Sequence, residues 1–178
     1  MKGLVFSQPI IPAWLAGNKT VTRRLINPQP DGTWEDGRPW WDIGGLNGGH
    51  PRYQPGETVY IKETWCNINK PGITPEIYYK ADTKCAEDYD PTEWRWKSPA
   101  IMPERASRSH ALIVSVMPEQ IRNVGSFYDE VLLEGWPFPG IDTGMPHKDF
   151  ELLWNSLHPG SWEKNEWVWR YELEKVKK

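Results

Sequence analysis

Short apolar segments separated by prolines and glycines make up most of this chain. Alternating, β-branched and aromatic runs predict five strands, and a shorter apolar run adds a sixth: residues 4–6, 20–26, 58–66, 77–81, 111–117 and 167–176. Apolar residues at helical spacing predict three short helices: from Pro9 or Pro12 to Gly17, over 126–133, and over 147–157. The pattern predicts an α+β protein, one domain over residues 1–178, with a mixed curved sheet or small β-barrel and short helices over its ends.

Two long segments without regular periodicity, residues 27–56 and 82–107, interrupt the predicted elements. They carry many of the chain's seventeen prolines, fifteen glycines and twelve tryptophans. A loop of this length inside a compact domain is either functional or partly disordered. We expect most of the tryptophans to pack these loops onto the sheet, and Trp154, Trp167 and Trp169 to pack in the core or between elements.

The segment GNKTVTRR, residues 17–24, lies where the first predicted helix gives way to a strand. Lys2, Lys19, Arg23 and Arg24 are the charged residues of the first thirty positions, so this end carries a formal charge of +4, whereas the whole chain carries −3. A cationic segment in an acidic chain points to a negatively charged or strongly polar ligand.

Alternation along the strand predicted over residues 20–26 places Thr22 and Arg24 on one face, and Val21 and Leu25 on the other. Thr22 and Arg24 can then face the same ligand. Lys19 would lie at the mouth of that site.

A second basic segment lies between Trp94 and His110, where four cations outnumber Glu104 and give a formal charge of +3: Arg95, Lys97, Arg105 and Arg108. Bases stack on aromatic rings at about 1–3 kcal/mol each, and cations follow phosphates. The segment therefore suggests a nucleic-acid binding module whose stacking surface is built from Trp40, Trp41, Trp94 and Trp96. The net negative charge favours a single nucleoside or a short single strand over a long polyanion.

The cysteines, the histidines and the lengths of the apolar runs bear on the cellular compartment, the cofactors and the membrane contact of the protein. Cys66 and Cys85 do not form a CxxC pair, and two reduced thiols in a cytoplasmic protein are a better interpretation than one disulfide. The four histidines are scattered, so we expect neither a metal site nor another cofactor. No apolar run has signal-peptide length or approaches the about 20 residues needed to cross a bilayer, so we expect no membrane contact.

Five segments occur in this order along the chain: GNKTVTRR, YQPGETVYIKETW, MPERASR, the helix-ending pair Glu134-Gly135, and WVWRYELEKV. Together they resemble the ASCH family of the PUA-like superfold, in its longer bacterial and prophage members. The resemblance implies a small mixed β-barrel with flanking short helices and a cleft lined by the GxKxxTxR element. It also implies a cytoplasmic protein, bacterial or phage-encoded, that binds RNA or a modified nucleoside. Some small members hydrolyse N(4)-acetylcytidine to cytidine and acetate.

The resemblance also implies roles for individual residues. Lys19 and Thr22 match the lysine and threonine of the hydrolases, Arg24 matches the arginine of the motif, and Glu134 corresponds to their glutamate. The implied catalytic residues are Lys19, Thr22 and Glu134. The residues expected to bind the substrate are Arg23, Arg24, Glu63, Trp65, Arg105 and Arg108.

The corresponding chemistry is metal-free hydrolysis of an amide. Lys19, with a pKa lowered by burial and by neighbouring arginines, would take the proton of Thr22, whose oxygen attacks the acetyl carbonyl. Arg24, or backbone N–H groups near Gly17, would hold the oxyanion. Glu134 would give a proton to the departing amine, or activate the water that clears the acyl-threonine.

Each of these residues also has a purely structural interpretation. Lys19 and Arg23 follow a helix end, where cations are favourable, and Thr22 is a good strand residue. Glu134 fits a solvated position in a last helical turn, and Glu63 fits an ion-pair partner for an arginine better than a catalyst. A non-catalytic module that binds single-stranded RNA or a modified nucleotide is therefore the alternative, and a phage-encoded interaction protein is a third class.

Overall fold

A mixed five-stranded sheet lies at the centre of the protein. The computed structural model describes residues 1–41, 49–68, 76–82, 95–126 and 128–176. The strands of the sheet and of two small hairpins are, in chain order, β1 (Lys2–Val5), β2 (Val21–Leu25), β3 (Gly32–Thr33), β4 (Pro39–Trp40), β5 (Thr58–Lys62), β6 (Trp65–Ile68), β7 (Glu76–Tyr79), β8 (His110–Gln120) and β9 (Trp167–Val176). The order across the large sheet is β1-β5-β8-β9-β2, with β1 parallel to β5 and the other neighbours antiparallel.

The two longest strands, β8 and β9, hold this sheet together. They pair from His110 opposite Val176 to Gln120 opposite Trp167, with a bulge between Ile113 and Ser115. Both are rich in β-branched and aromatic residues, which suit a half-buried pleated surface. Strand β2 pairs with the free side of β9, so the cationic segment found in the sequence becomes an edge of the sheet.

Three short helices cover part of the sheet: α1 (Ile11–Ala16), α2 (Tyr128–Leu133) and α3 (Pro146–Leu157). These confirm the predicted helices, with α1 preceded by a 3-10 turn over Gln8–Ile10. Helix α1 ends at Gly17, whose φ of +84° is a left-handed conformation that glycine adopts without strain. Among the described residues, no helix has the length and apolar character needed to span a membrane.

One apolar core joins the sheet to the helices. Trp14 of α1 is buried against Phe6, with ring centroids 5.5 Å apart, and its indole N–H donates to the hydroxyl oxygen of Ser109 at 2.9 Å. Trp154 of α3 is buried and stacks on Phe150, with centroids 6.0 Å apart, as the sequence predicted for a core tryptophan. Trp169 is partly buried and packs against the same core.

The strand predicted over residues 58–66 is in fact two strands. The chain leaves the large sheet after β5, and residues 65–68 form β6, which pairs with β7 in a separate hairpin. The break falls at Glu63, which is buried with its carboxylate on Arg108, while its N–H donates to the sulfur of Met102 at 3.3 Å. Between β5 and β6, Glu63 is therefore held by its ion pair with Arg108 and by Met102.

The two predicted long loops contain short regular pieces. Within residues 27–56, β3 and β4 form a two-stranded hairpin, while residues 42–48 lie outside the described part of the chain. Within residues 82–107, 3-10 turns occur at Pro99–Ile101 and Glu104–Ala106, while residues 83–94 lie outside the described part.

The predicted α+β class and mixed sheet are confirmed, but the described strands do not close into a barrel. The edge strands β1 and β2 are not neighbours in the hydrogen-bonded order. Instead, a side chain links them, because the guanidinium of Arg24 on β2 donates to the carbonyl oxygen of Val5 on β1. The sheet therefore has an opening between its first two strands in sequence.

Gly135, the second residue after the end of α2, lies close to α1. Its φ is +96°, and a Cβ there would lie 2.7 Å from the Cβ of Ala13 and 3.3 Å from the Cβ of Lys19. Gly135→Ala should therefore lower the free energy of unfolding by about 2–4 kcal/mol, from backbone strain plus overpacking. Urea unfolding measures the loss.

Gly17→Ala is the matched control, because Gly17 has a similar φ of +84° but a Cβ added there would meet no described atom within 4 Å. It should cost only the strain part, about 1–2 kcal/mol. Equal losses for the two variants would show that the contact between the α2 end and α1 is loose.

Candidate functional site

The backbone brings the end of α2 against the start of β2. The N–H of Thr20 donates to the carbonyl oxygen of Leu133 at 2.9 Å. Gly135 has no side chain, which lets this turn approach Lys19 closely. Two segments separated by more than a hundred residues therefore meet at the residues that the sequence singled out.

Lys19 and Glu134 form a buried ion pair at this junction. The Lys19 ammonium donates to the Glu134 carboxylate at 2.5 Å, to the Glu134 carbonyl oxygen at 3.1 Å and to the Val21 carbonyl oxygen at 2.6 Å. These three acceptors match the three protons of an ammonium group. The side chains are 0% and 5% exposed, so the proposed solvated position of Glu134 is wrong.

Arg23 binds the other oxygen of the same carboxylate. Its guanidinium donates to Glu134 at 2.8 Å, to Glu119 at 2.5 Å and to Glu130 at 2.6 Å. Arg170 of β9 also reaches Glu130, at 3.2 Å. Arg23 is therefore a member of a buried charge network, and its guanidinium is not presented to a ligand in the way that the sequence had suggested.

This network fixes the ionisation state of Glu134. Burial opposes the charge, but attraction to Lys19 and Arg23, and the hydrogen bonds from them, hold the pKa of Glu134 below its ordinary value. Burial in turn lowers the pKa of Lys19, against the opposing effect of Glu134. Glu134 is therefore a carboxylate at neutral pH, and Lys19 releases its proton more easily than an exposed lysine.

Thr22 and Arg24 point to the face of β2 opposite Arg23. In the register with β9, Thr22 lies opposite Tyr171 and Arg24 lies opposite Trp169. Thr22 is buried, at 2% exposed. Because Lys19 donates to the carbonyl oxygen of Val21, its ammonium lies against the peptide bond that leads into Thr22. The structure therefore brings Lys19 and Glu134 together and places the backbone of Thr22 beside them.

A cavity of about 470 Å³ opens between β1 and β2 on the face of Arg24. This volume lies within the range of about 300–1,000 Å³ that is typical of small-molecule sites. Its lining is as follows: Gly3, Leu4, Val5, Arg24, Leu25, Asn27, His50, Arg52, Tyr53, Lys62, Ala100, Trp169 and Tyr171. Of the residues predicted as catalytic or substrate-binding, Arg24 lines the cavity, whereas Lys19, Thr22 and Glu134 do not.

Sequence reasoning missed most of this lining. Tyr53 and Tyr171 pack edge to face, with ring centroids 5.6 Å apart, and the Tyr53 hydroxyl donates to the carbonyl oxygen of Gly3 at 2.7 Å. Burial raises the pKa of Tyr171 to about 12. Trp169 stacks on Trp41, with centroids 6.3 Å apart. A signal was present in the alternation of β9, which puts Trp169 and Tyr171 on the face of Arg24 and Thr22.

Glu63 and Arg108 form a second ion pair, away from this cavity. The Arg108 guanidinium donates to both oxygens of Glu63, each at 2.8 Å, and to Asp82 at 2.8 Å and 2.9 Å. It also lies over the ring of Tyr79, 4.1 Å from the centroid. Glu63 thus has the structural role favoured from the sequence. Its carboxylate binds the guanidinium of Arg108, which was expected to bind substrate.

In the described part of the chain, two cations of the second basic segment, Lys97 and Arg108, already have side-chain partners. Lys97 donates to the side chain of Asn67 and lies over the Trp65 ring, 4.7 Å from its centroid. Trp65 is itself buried against Met102 and Ala106, so its ring is not presented to a base. Arg105 is exposed on a 3-10 turn, and Trp94 lies outside the described residues.

The cysteines and histidines add no further site in the described residues. Cys66 is buried in β6, and Cys85 lies outside the described part of the chain. Residues 1–41, 49–68, 76–82, 95–126 and 128–176 contain no group of three or more His, Cys, Asp or Glu side chains placed to hold a metal ion.

No family model matches the chain, and no curated protein or solved structure matches it significantly. The resemblance to the ASCH family therefore depends on the sequence segments themselves.

The buried Glu134 carboxylate should make the fold sensitive to acid. Because its folded pKa lies below the ordinary 4.5, the unfolded chain binds a proton first as the pH falls. The stability that the ionised carboxylate contributes is fully present above pH 4.5, and it is lost as the pH falls from there through the lower pKa of the folded state. Glu134→Gln should cost about 3–5 kcal/mol at neutral pH, because Lys19 loses its charged partner.

Urea unfolding at a series of pH values measures this effect. The difference in unfolding free energy between the native chain and Glu134→Gln should shrink as the pH falls below 4.5. Glu35→Gln, at an exposed carboxylate, is the control and should change stability little at any pH. A difference in unfolding free energy that stays constant with pH would contradict a lowered pKa for Glu134 in the folded state.

Proposed function

We propose that this chain is an ASCH-family domain of the PUA-like superfold that binds RNA or a modified nucleoside in the cavity between β1 and β2. The observation that carries the proposal is the lining of that cavity, in which Arg24 of the GNKTVTRR segment lies among aromatic side chains. Aromatic faces bind bases by stacking, and the cavity volume suits one nucleoside. The cytoplasmic setting, bacterial or phage-encoded, comes from the same resemblance.

The geometry favours binding by this cavity over binding by the second basic segment. Trp65 is buried, and Arg108 is occupied by two carboxylates. Trp169 and Tyr171, in contrast, line an open cavity beside an arginine. A compact ligand such as a single nucleoside, or one base of a short single strand, fits this arrangement better than a long polyanion.

Trp169 gives the test of binding. Stacking contributes about 1–3 kcal/mol per base, so Trp169→Leu should weaken binding of N(4)-acetylcytidine or a short single-stranded RNA by about 5- to 100-fold. Isothermal titration calorimetry measures the affinity, and circular dichroism checks the fold. Trp34→Leu, at a tryptophan that is 61% exposed and does not line the cavity, is the matched control. Equal affinities for the two variants would place the ligand elsewhere.

A second candidate function, deacylation of N(4)-acetylcytidine or a similar acylated base, is supported by the contact between Lys19 and Glu134. The resemblance pairs these residues with Thr22, and the Lys19 ammonium lies against the peptide that leads into Thr22. Thr22 and Arg24 share one face of β2, about 6.6 Å apart along the strand. A ligand on Arg24 would therefore lie on the same face of β2 as Thr22, which is itself buried and outside the cavity lining.

The reaction balances with these residues alone. Lys19 must first release one proton of its ammonium group to solvent, which its lowered pKa eases. It then takes the hydroxyl proton of Thr22 as the threonine oxygen bonds to the acetyl carbon, and the same proton passes to the amine when the C–N bond breaks. Water then attacks the acyl-threonine and the C–O bond to threonine breaks; one proton of the water returns to the threonine oxygen, and the other is released to solvent together with the acetate. Since Glu134 is ionised, it fits activation of this water better than protonation of the amine.

Thr22 is a cleaner probe of catalysis than Lys19, because Lys19→Ala would also remove one of the two cations that compensate the buried Glu134 carboxylate. Thr22→Val should abolish release of cytidine from N(4)-acetylcytidine, measured by chromatography, while Thr22→Ser should retain part of it. Thr20→Val, at the exposed threonine two residues earlier, should turn over as the native chain does.

Full turnover by Thr22→Val would exclude the threonine as nucleophile. Binding without turnover by the native chain would leave the non-catalytic binding module. A native chain that neither binds nor cleaves would favour the phage-encoded interaction protein.

A further inference from the structure

The cations that line the cavity differ in their partners from the cations of the two ion-pair networks described above. Lys19, Arg23 and Arg108 are each paired with carboxylates. Arg24, Arg52 and Lys62 line the cavity, and within the described part of the chain none of them is paired with a carboxylate. The cavity therefore gathers positive charge that the described residues leave uncompensated.

Arg24 is the innermost of these cations. It is half-buried, and among the described residues its hydrogen bonds go to neutral acceptors, the carbonyl oxygens of Val5 and Arg23. Burial lowers the pKa of its guanidinium, against the attraction of Glu134 on the other side of the strand. A desolvated cation held only by neutral acceptors gains more from an anion than an exposed cation does.

Two more cations stand at the rim. The Lys62 side chain crosses Gly3, where a Cβ would lie only 2.5 Å from its Cδ, and its ammonium donates to the carbonyl oxygen of Ala100 at 2.6 Å. Arg52 is exposed and lies over the ring of Tyr53, 5.5 Å from the centroid. The glycine at position 3 therefore allows the lysine stem to reach the rim. His50 and Asn27 complete the polar lining.

The described lining contains no carboxylate, although the chain as a whole carries a net charge of −3. A local cluster of cations in an acidic protein selects a small anion and does not attract a long polyanion. Guanidinium groups bind phosphate oxygens in a fork geometry, and lysine binds them as a point charge. Trp169, Tyr53 and Tyr171 provide the wall against which an aromatic base can lie.

We propose that the cavity between β1 and β2 binds a nucleoside monophosphate, with the phosphate held by Arg24, Arg52 and Lys62 and the base against Trp169. This proposal rests on the nucleoside-binding function proposed above and specifies its ligand as phosphorylated. The phosphate is the group that distinguishes this ligand from the uncharged nucleoside.

The test compares each common ribonucleoside with its 5′-monophosphate by isothermal titration calorimetry, at low and at high salt. Hydrogen bonds to charged groups are worth about 1.5–3 kcal/mol, so the monophosphate should bind about 10- to 100-fold more tightly than its nucleoside. High salt should weaken binding of the monophosphate and leave binding of the nucleoside nearly unchanged. Inorganic phosphate should compete with the monophosphate.

Arg52→Gln is the first variant, because an exposed side chain can be replaced without disturbing the fold. It should lower the ratio of monophosphate affinity to nucleoside affinity, and Arg24→Gln should lower that ratio more. Lys148→Gln, on α3 and outside the cavity lining, is the control and should change neither affinity.

Each outcome separates the two proposals. Equal affinities for nucleoside and monophosphate overturn the phosphate site but leave nucleoside binding standing. A second outcome is that short RNA strands bind, that a 5′-phosphate has no effect on their affinity, and that monophosphates do not bind. This outcome assigns the cations to internal phosphodiesters and also overturns the monophosphate site. Absence of binding by all of these compounds overturns both proposals.

Discussion

The Glu134 carboxylate, shared between Lys19 and Arg23, ties the end of α2 to the start of β2. Three charged groups leave water at one point, and this is tolerable only because each has charged or hydrogen-bonding partners. Glu119 and Glu130 extend the network by two negative charges, and Arg170, paired with Glu130, supplies a third cation. The close approach of Gly135 to Lys19 brings the two charges together, while pairing with β9 holds the rest of β2.

Adjacent arginines on β2 have opposite roles because strand alternation sends them to opposite faces. Arg23 points toward α2 and is saturated by three carboxylates. Arg24 points toward the cavity and is held by two carbonyl oxygens. A single strand therefore separates cations that stabilise the fold from a cation that remains available to an anion. The edge of the sheet thus combines stability on one face with recognition on the other.

The elements that could be predicted from the sequence are those that depend on residues close together in the chain. The α+β class, the helix ending at Gly17 and the strand of residues 167–176 are confirmed, because glycine stops and apolar alternation act over a few residues. The break at Glu63 and the partners of Arg108 depend on residues far along the chain, and no local signal reveals them. The cavity was missed for the same reason: Tyr53 lies in an irregular loop, and only the pairing of β2 with β9 brings Trp169 beside Arg24.

The walls of the cavity come from segments far apart in sequence, with Gly3 to Val5 on one side and Trp169 and Tyr171 on the other. Chains are synthesised from the N-terminus, so β1 leaves the ribosome long before β9. The nascent chain thus cannot enclose a ligand until the segment that carries Trp169 and Tyr171 has been synthesised. A ligand would then stabilise only the assembled sheet, and its occupancy would report on that assembly.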